Sequence, residues 1–247
     1  MIQLKSRREY ELLKESAAVL KEIFEVLEGL IEPGQTTIAL DKKAEALIRK
    51  RGCVPAFKNY KGFPASICAS INEEVVHGIP SQRKLFTGDI VSIDIGVLCN
   101  GYYSDAARTY PVGEISEIAQ NLISVTKSSL YYALSNLKTG MQLGDLSYNV
   151  QSFVERNSFS VVRDFVGHGI GKNLHEDPQI PNFGSAGTGI RLEEGLTVAV
   201  EPMVNQGDWK VQVLENKWTV VTCDRLLSAH HEETIFFDSD GPEVLTI

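Results

Sequence analysis

Leu13, Ala17, Leu20, Ile23, Phe24, Leu27 and Leu30 recur at the 3, 4 spacing of one helix face, with polar residues between them. That periodicity predicts an amphipathic helix closed by Pro33-Gly34. A second helix is predicted over 38–51, with Thr36 and Thr37 as N-cap candidates and Gly52 as the stop. After Gly113 the plan repeats: helical periodicity covers 115–137, Gly140 interrupts it, and another helix fits 143–157. Short apolar or alternating runs predict strands over 66–71, 196–201, 209–214, 218–223 and 232–237. Two helices followed by strands, twice over, predicts an α+β chain of one domain with pseudo-symmetric halves, 1–112 and 113–247.

The strongest local signal is Asn100-Gly101, inside DIVSIDIGVLCNGYYSDAARTY. Both central residues of a type I′ hairpin turn need a positive φ, which Asn and Gly supply. With those two as the loop, 89–98 pairs with 102–110, so that Cys99 faces Tyr102, Gly96 faces Asp105 and Asp94 faces Ala107. Asp94 and Asp105 then become diagonal neighbours on one face, roughly 7–8 Å apart at the backbone. Carboxylates that close repel unless a cation lies between them, so a divalent metal accounts for the pair; two acids facing water is the plainer alternative.

Composition narrows the setting. With 43% hydrophobic and 23% charged residues, the 247-residue chain reads as a soluble globular protein able to bury its own core. A net charge of -8 argues against nucleic acid or an anionic membrane as the main partner. The opening MIQLKSRREYELLKE lacks the apolar stretch of a secretory signal, and no apolar run reaches the roughly 18 residues of a membrane span. Cys53, Cys68, Cys99 and Cys223 form no CxxC pair, and reduced thiols in the cytoplasm are expected.

Three of the five histidines, His77, His168 and His175, fall in segments punctuated by glycine or proline, which read as turns. The glycines of GHGIG (167–171) would let the main chain pass close to a ligand while His168 projects. Glu201 ends the apolar run LTVAV and precedes Pro202, so it lies at a strand end. In SAHHEETIFF, alternation puts His230, Glu232 and Thr234 on one face and His231, Glu233 and Ile235 on the other. Each acid taken singly could be a solvated surface group. Asp94, Asp105, His168, Glu201 and Glu232 taken together offer four carboxylates and one imidazole, whose charge two divalent ions would cancel. Oxygen-rich ligation without thiolate suits Mn, Fe(II), Co or Zn in a hydrolytic site more than a structural zinc.

The ordered series NEEVVHGIP, the Asp94 and Asp105 hairpin, GHGIGKNLHEDP, AVEPMV and SAHHEET resembles type I methionine aminopeptidases over nearly the whole chain, in their simple bacterial form. The resemblance implies a pita-bread fold, a curved and mainly antiparallel sheet with helices on its outer face and a pseudo-twofold axis. It implies Asp94, Asp105, His168, Glu201 and Glu232 as metal ligands, with Asp105 and Glu232 bridging. His77 and His175 would orient the scissile peptide and stabilise the oxyanion, and Glu201 would shuttle a proton. Tyr60, Phe63, Cys68, Leu174 and Trp218 would wall the methionine pocket, while Asn72 and Ser228 would lie near a monovalent cation, Na or K. The implied reaction removes the first methionine of nascent chains, preferably before a small second residue, by a cytoplasmic monomer that works at the ribosome.

Four positions depart from the family pattern. Lys61 stands where some relatives have His, Leu174 replaces a commoner Phe, and His231 and Glu233 replace an aromatic residue and a His around Glu232. Two rival readings are a proline-cleaving aminopeptidase, whose chains generally carry an additional amino-terminal domain, and a silent relative that binds partners. Loss of ligands would mark the second, and all five candidates are present.

Overall fold

The computed structural model describes residues 2–247. Helix α1 (Arg7–Glu28) begins ahead of its apolar stripe because Ser6 and Glu9 form a capping box, in which the Ser6 hydroxyl accepts from the Glu9 N–H and the Glu9 carboxylate accepts from the Ser6 N–H. It ends at Glu28, so Leu30 of the predicted stripe lies beyond it. Helix α2 (Thr37–Lys50) lies within a residue of its expected ends, α3 (Glu117–Ser135) starts from an N-cap at Ser116, and α4 (Leu143–Arg156) follows the turn at Gly140.

The strands are β1 (Val54–Pro55), β2 (Cys68–Ile71), β3 (Glu74–Val76), β4 (Ile90–Cys99), β5 (Tyr102–Pro111), β6 (Ser160–Val161), β7 (Gly167–Gly169) and β8 (Glu176–Ile180) in the first part of the chain. Then come β9 (Thr197–Val200), β10 (Met203–Asn205), β11 (Val211–Val213), β12 (Val220–Thr222), β13 (Ser228–His230), β14 (Glu233–Asp238) and β15 (Gly241–Val244). Four sheets result. One orders β1-β4-β2 with β5 on β4, one β13-β10-β6, one β11-β12-β3 and one β15-β14-β9-β7-β8, with antiparallel pairing throughout.

The β4–β5 hairpin has the register its turn predicts: Cys99 opposite Tyr102, Gly96 opposite Asp105 and Asp94 opposite Ala107, with φ 49 at Asn100 and 84 at Gly101. One apolar cluster packs α1 and α2 on the faces of β2, β4 and β5, through Leu20, Leu27, Leu40, Ile67, Ile93 and Ile95. A second packs α3 and α4 with Val198, Val200, Ile235 and Phe237. Each fully buried aliphatic side chain contributes about 1.5–3 kcal/mol relative to leaving it in water, so the stripes hold the helices on the sheets. Among the described residues no helix is long and apolar enough to cross a membrane.

Two expectations are corrected. Cys53 and Cys99 are joined by a disulfide rather than standing as separate thiols, while Cys68 and Cys223 are free. The cause is register: Val54 lies opposite Leu98 in the β1–β4 ladder, which brings the residues on either side, Cys53 and Cys99, face to face with Cα atoms 4.8 Å apart. The second concerns GHGIG, which is not a turn at His168. Gly167, His168 and Gly169 form β7, between β8 and β9, and Cβ atoms at the two glycines would lie 2.3 Å from the Ala199 carbonyl oxygen and 2.2 Å from that of Asp177. These glycines let neighbouring strands approach, not a ligand.

Candidate metal centre

Five elements bring the predicted ligands together. Asp94 comes from β4, Asp105 from β5, His168 from β7, Glu201 from the end of β9, and Glu232 from the break between β13 and β14. That break is where the segment joins the first hairpin. The Glu232 N–H donates to the Ala107 carbonyl at 3.0 Å and the Ala107 N–H to the Glu232 carbonyl at 3.3 Å, placing Glu232 beside the residue that faces Asp94. Thr234 fixes Asp105 in turn: its hydroxyl accepts from the Asp105 N–H at 2.9 Å and donates to the Asp105 carbonyl at 2.8 Å. The Asn182 amide donates to the Glu201 carbonyl at 2.9 Å.

Ligand atoms of Asp105, His168 and Glu232 lie within 4.8 Å of one another, and all three residues are buried. His168 Nε2 is 4.0 Å from Asp105 Oδ2 and 3.7 Å from Glu201 Oε1. Its Nδ1 lies 2.9 Å from the Gly169 carbonyl oxygen, which can only accept, so Nδ1 carries the proton and Nε2 keeps a free lone pair facing the carboxylates. Burial lowers the His168 pKa to about 4, so the ring is neutral at neutral pH.

Burial raises the pKa of all four acids. Asp94 reaches about 7 despite hydrogen bonds from Asp105 and Cys68. Asp105 is pushed well up by burial, then by the charges of Asp94 and Glu201; Glu232 by burial, Asp105, Glu201 and Asp94; and Glu201 by burial and Asp94. Asp94 Oδ1 and Asp105 Oδ1 are buried without a hydrogen-bond partner. The neighbouring cation is already committed, since Arg108 donates to the Ala107, Glu232 and Thr246 carbonyls and to Glu233. Unsatisfied carboxylate oxygens around a lone-pair nitrogen are the donor set that hard or borderline divalent ions bind, so these residues fit a metal centre.

The acids form one wall of a cavity of about 170 Å³. Tyr60, Phe63, Cys68, Leu174 and Trp218 line it too, as do His77 and His175. The His175 ring stacks on Tyr60, with centroids 5.2 Å apart, and its Nδ1 lies 2.9 Å from the Tyr60 hydroxyl. Burial, aided by the charge of His168, lowers the His175 pKa to about 3, and burial lowers that of His77. Asn72 and Ser228 do not line the cavity; they meet elsewhere, where the Ser228 N–H donates to the Asn72 carbonyl at 2.9 Å.

Two neighbours are not among the site residues expected from the sequence. Phe57 joins the apolar wall, and no motif marks it; only the folding of the 57–63 turn against Ile170 and Leu174 brings it there. His230, on the Glu232 face as alternation predicts, holds Nε2 4.0 Å from Glu201 Oε2 and 3.9 Å from Glu232 Oε2. Glu233 and His231 turn to the opposite side, where Glu233 is fully buried against Arg108, Tyr131 and Thr246.

A family model described as metallopeptidase family M24 matches residues 11–236. The chain belongs to the M24 metallopeptidase family. It is 49% identical to a methionine aminopeptidase of Clostridium perfringens, over 100% of this chain and 99% of that protein, and 48% identical to methionine aminopeptidase 1 of Bacillus subtilis, over 100% and 99%. The solved methionine aminopeptidase of Thermotoga maritima superposes with a TM-score of 0.98 at 45% identity, covering 100% of this chain and 99% of that one. A prolidase from Pyrococcus furiosus, 20% identical, shares the fold with a TM-score of 0.78, and this chain spans 65% of it. The fold is therefore the pita-bread fold of M24 proteins, as the sequence motifs imply.

Proposed function

We propose that this protein is a dinuclear-metal methionine aminopeptidase, which hydrolyses the peptide bond after an amino-terminal methionine, preferably before a small second residue. The observation that carries the reading is one cavity in which four carboxylates, Asp105 and Glu232 buried and Asp94 and Glu201 half-buried, and a lone-pair imidazole face an apolar wall of Phe57, Phe63, Cys68, Leu174 and Trp218. Full-length similarity to methionine aminopeptidases supports it. We read the chain as one catalytic domain whose halves, 1–112 and 113–247, both supply site residues.

Asp94, Asp105, His168, Glu201 and Glu232 would hold two divalent ions drawn from Mn, Fe(II), Co or Zn, with Asp105 and Glu232 shared between them. Such ions supply Lewis acidity and lower the pKa of water. The apolar wall receives the methionine thioether, whose flexible and polarisable chain suits aromatic and aliphatic contacts. In this reading the Tyr60 hydroxyl, 2.9 Å from His175 Nδ1, donates to it and the ring proton sits on Nε2. A neutral Nε2–H can then donate to the oxygen that gains charge as the carbonyl is attacked, with His77 orienting the same peptide. Glu201 takes the proton that the attacking water gives up and passes it to the leaving amine.

A monovalent cation, Na or K, beside Asn72 and Ser228 belongs to the same reading, as do a cytoplasmic location, a monomeric state and nascent chains at the ribosome as substrates. The test is cleavage of Met-Ala-Ser and Met-Lys-Ser by metal-stripped protein with Mn, Fe(II), Co or Zn restored separately. Restored cleavage of Met-Ala-Ser, with Met-Lys-Ser much slower, is expected. Metal-independent cleavage, or none with any ion, would sink the reading.

A further inference from the structure

The cavity is uneven in charge. Its four acids lie on the buried side, whereas Lys61, exposed at the mouth, is the one lysine or arginine in the lining. The turn Tyr60–Gly62 holds it at φ 51 and ψ 19, following Asn59 at φ 67. Hydrogen bonds from the Asn59 N–H to the Phe63 carbonyl, at 2.8 Å, and from the Phe63 N–H to the Tyr60 carbonyl, at 2.9 Å, close that turn. Lys61 Nζ reaches to 5.4 Å from the centre of the Tyr60 ring, which in turn stacks on His175. Among the described residues Lys61 forms no ion pair, whereas Lys58, three positions before it, is held by Glu45. An ordinary solvated lysine would have no bearing on substrate, but this one borders the opening through which a bound peptide must leave.

We propose that Lys61 is a specificity-determining residue that favours substrates with an acidic third residue, an inference that rests on the aminopeptidase reading. With methionine against the apolar wall and its carbonyl at the acids, the rest of the peptide runs outward at about 3.3 Å per residue. A small second residue leaves the third side chain as the first able to meet a flexible ammonium at the mouth. Two unit charges about 4 Å apart in water attract by enough to change a rate about fivefold, and salt screens them.

The test compares metal-loaded enzyme on amidated Met-Ala-Asp-Leu, Met-Ala-Asn-Leu and Met-Ala-Lys-Leu at low salt and at about 0.5 M salt, where the Debye length is only a few ångströms. The native enzyme should show kcat/KM in the order Asp, Asn, Lys, with an Asp-to-Asn ratio of about five that shrinks in high salt. That ratio should fall to about one in Lys61→Met and below one in Lys61→Glu. Both variants keep an unbranched side chain at the left-handed position, so a change in the ratio reports charge rather than backbone strain. Equal cleavage of all three peptides by the native enzyme, or an unchanged ratio in Lys61→Met, overturns the role of Lys61 alone. Failure to cleave any of them with any of the four metals overturns the reaction assignment, and this role with it.

Discussion

The Arg108 guanidinium lies 2.9 Å from the Glu233 carboxylate, on the opposite side of the chain from Glu232 and the other candidate metal ligands. Adjacent acids thus serve different ends. Glu233→Gln should keep two bound metals and most turnover, while lowering stability by about 3 kcal/mol, because it leaves the half-buried guanidinium without its counter-charge. Glu232→Gln should hold at most one tight metal and lose activity. It should also raise the stability of the metal-free protein, since an amide avoids the cost of ionising a buried acid. Elemental analysis, urea unfolding with chelator and Met-Ala-Ser cleavage measure all of this; an emptied site in Glu233→Gln would reverse the assignment.

The same two groups of acids predict opposite responses to pH in the metal-free protein. Asp94, with its folded pKa raised to about 7 from 3.8, binds a proton more tightly when folded. Its contribution is therefore present at low pH and is lost as pH rises from near 4 through 7; Asp105, Glu201 and Glu232 act in the same direction. Burial would raise Glu233 as well, but His231, Arg108 and Thr246 outweigh it and hold the pKa down to about 2 from 4.5. Its contribution, on the order of 3 kcal/mol, is present above pH 4.5 and lost as pH falls toward 2. Urea midpoints of chelated protein should thus fall between pH 5 and about 8, and less so in Asp94→Asn. Added metal should remove that fall, and Glu233→Gln should flatten only the acid limb.

With Tyr60 donating to His175 Nδ1 as proposed, the two residues should fail in a graded way. His175→Ala should retain both metals and lose kcat about 100-fold, the cost of one oxyanion donor. Tyr60→Phe, which keeps the stacked ring and removes the hydroxyl, should cost about tenfold. Asp105→Asn, in contrast, should weaken metal binding itself, because an amide cannot supply the charge of a shared carboxylate. Calorimetric titration with Mn alongside steady-state kinetics separates these outcomes, and equal metal loss in His175→Ala and Asp105→Asn would refute the division of roles.

Much of this site could be read from the chain because its decisive features are local. Asn100-Gly101 fixes the hairpin register through two positive φ angles, and that register alone places Asp94 diagonal to Asp105. Ser6 and Glu9 carry an equally local capping signal that the search for apolar periodicity passes over. What stayed hidden depends on pairing between distant segments. Cys53 meets Cys99 only because β1 adds to β4, Phe57 reaches the pocket only when its turn packs on Leu174, and Glu233 acquires a buried partner in Arg108 only through the Ala107–Glu232 bridge. The sequence reads as a turn at His168 where the structure has a strand, since glycines that admit a neighbouring strand look in sequence like glycines that make a turn.

Gly169 offers the most direct check on that corrected setting. A Cβ there would lie 2.2 Å from the Asp177 carbonyl oxygen and 2.7 Å from its carbonyl carbon, both backbone atoms that cannot move without opening the β7–β8 ladder. Gly169→Ala should therefore cost about 3 kcal/mol, the upper part of the overpacking range. It should also weaken Mn binding, because the Gly169 carbonyl accepts the His168 Nδ1 proton and so aims Nε2 at the acids. Gly101→Ala is the control: its Cβ meets nothing within 4 Å, so its cost comes only from φ 84 at the hairpin turn. Unfolding and Mn titration of both variants should show a stability loss in each but a metal-affinity loss only in Gly169→Ala. Unchanged metal affinity in Gly169→Ala would mean that β7 does not position His168 as described.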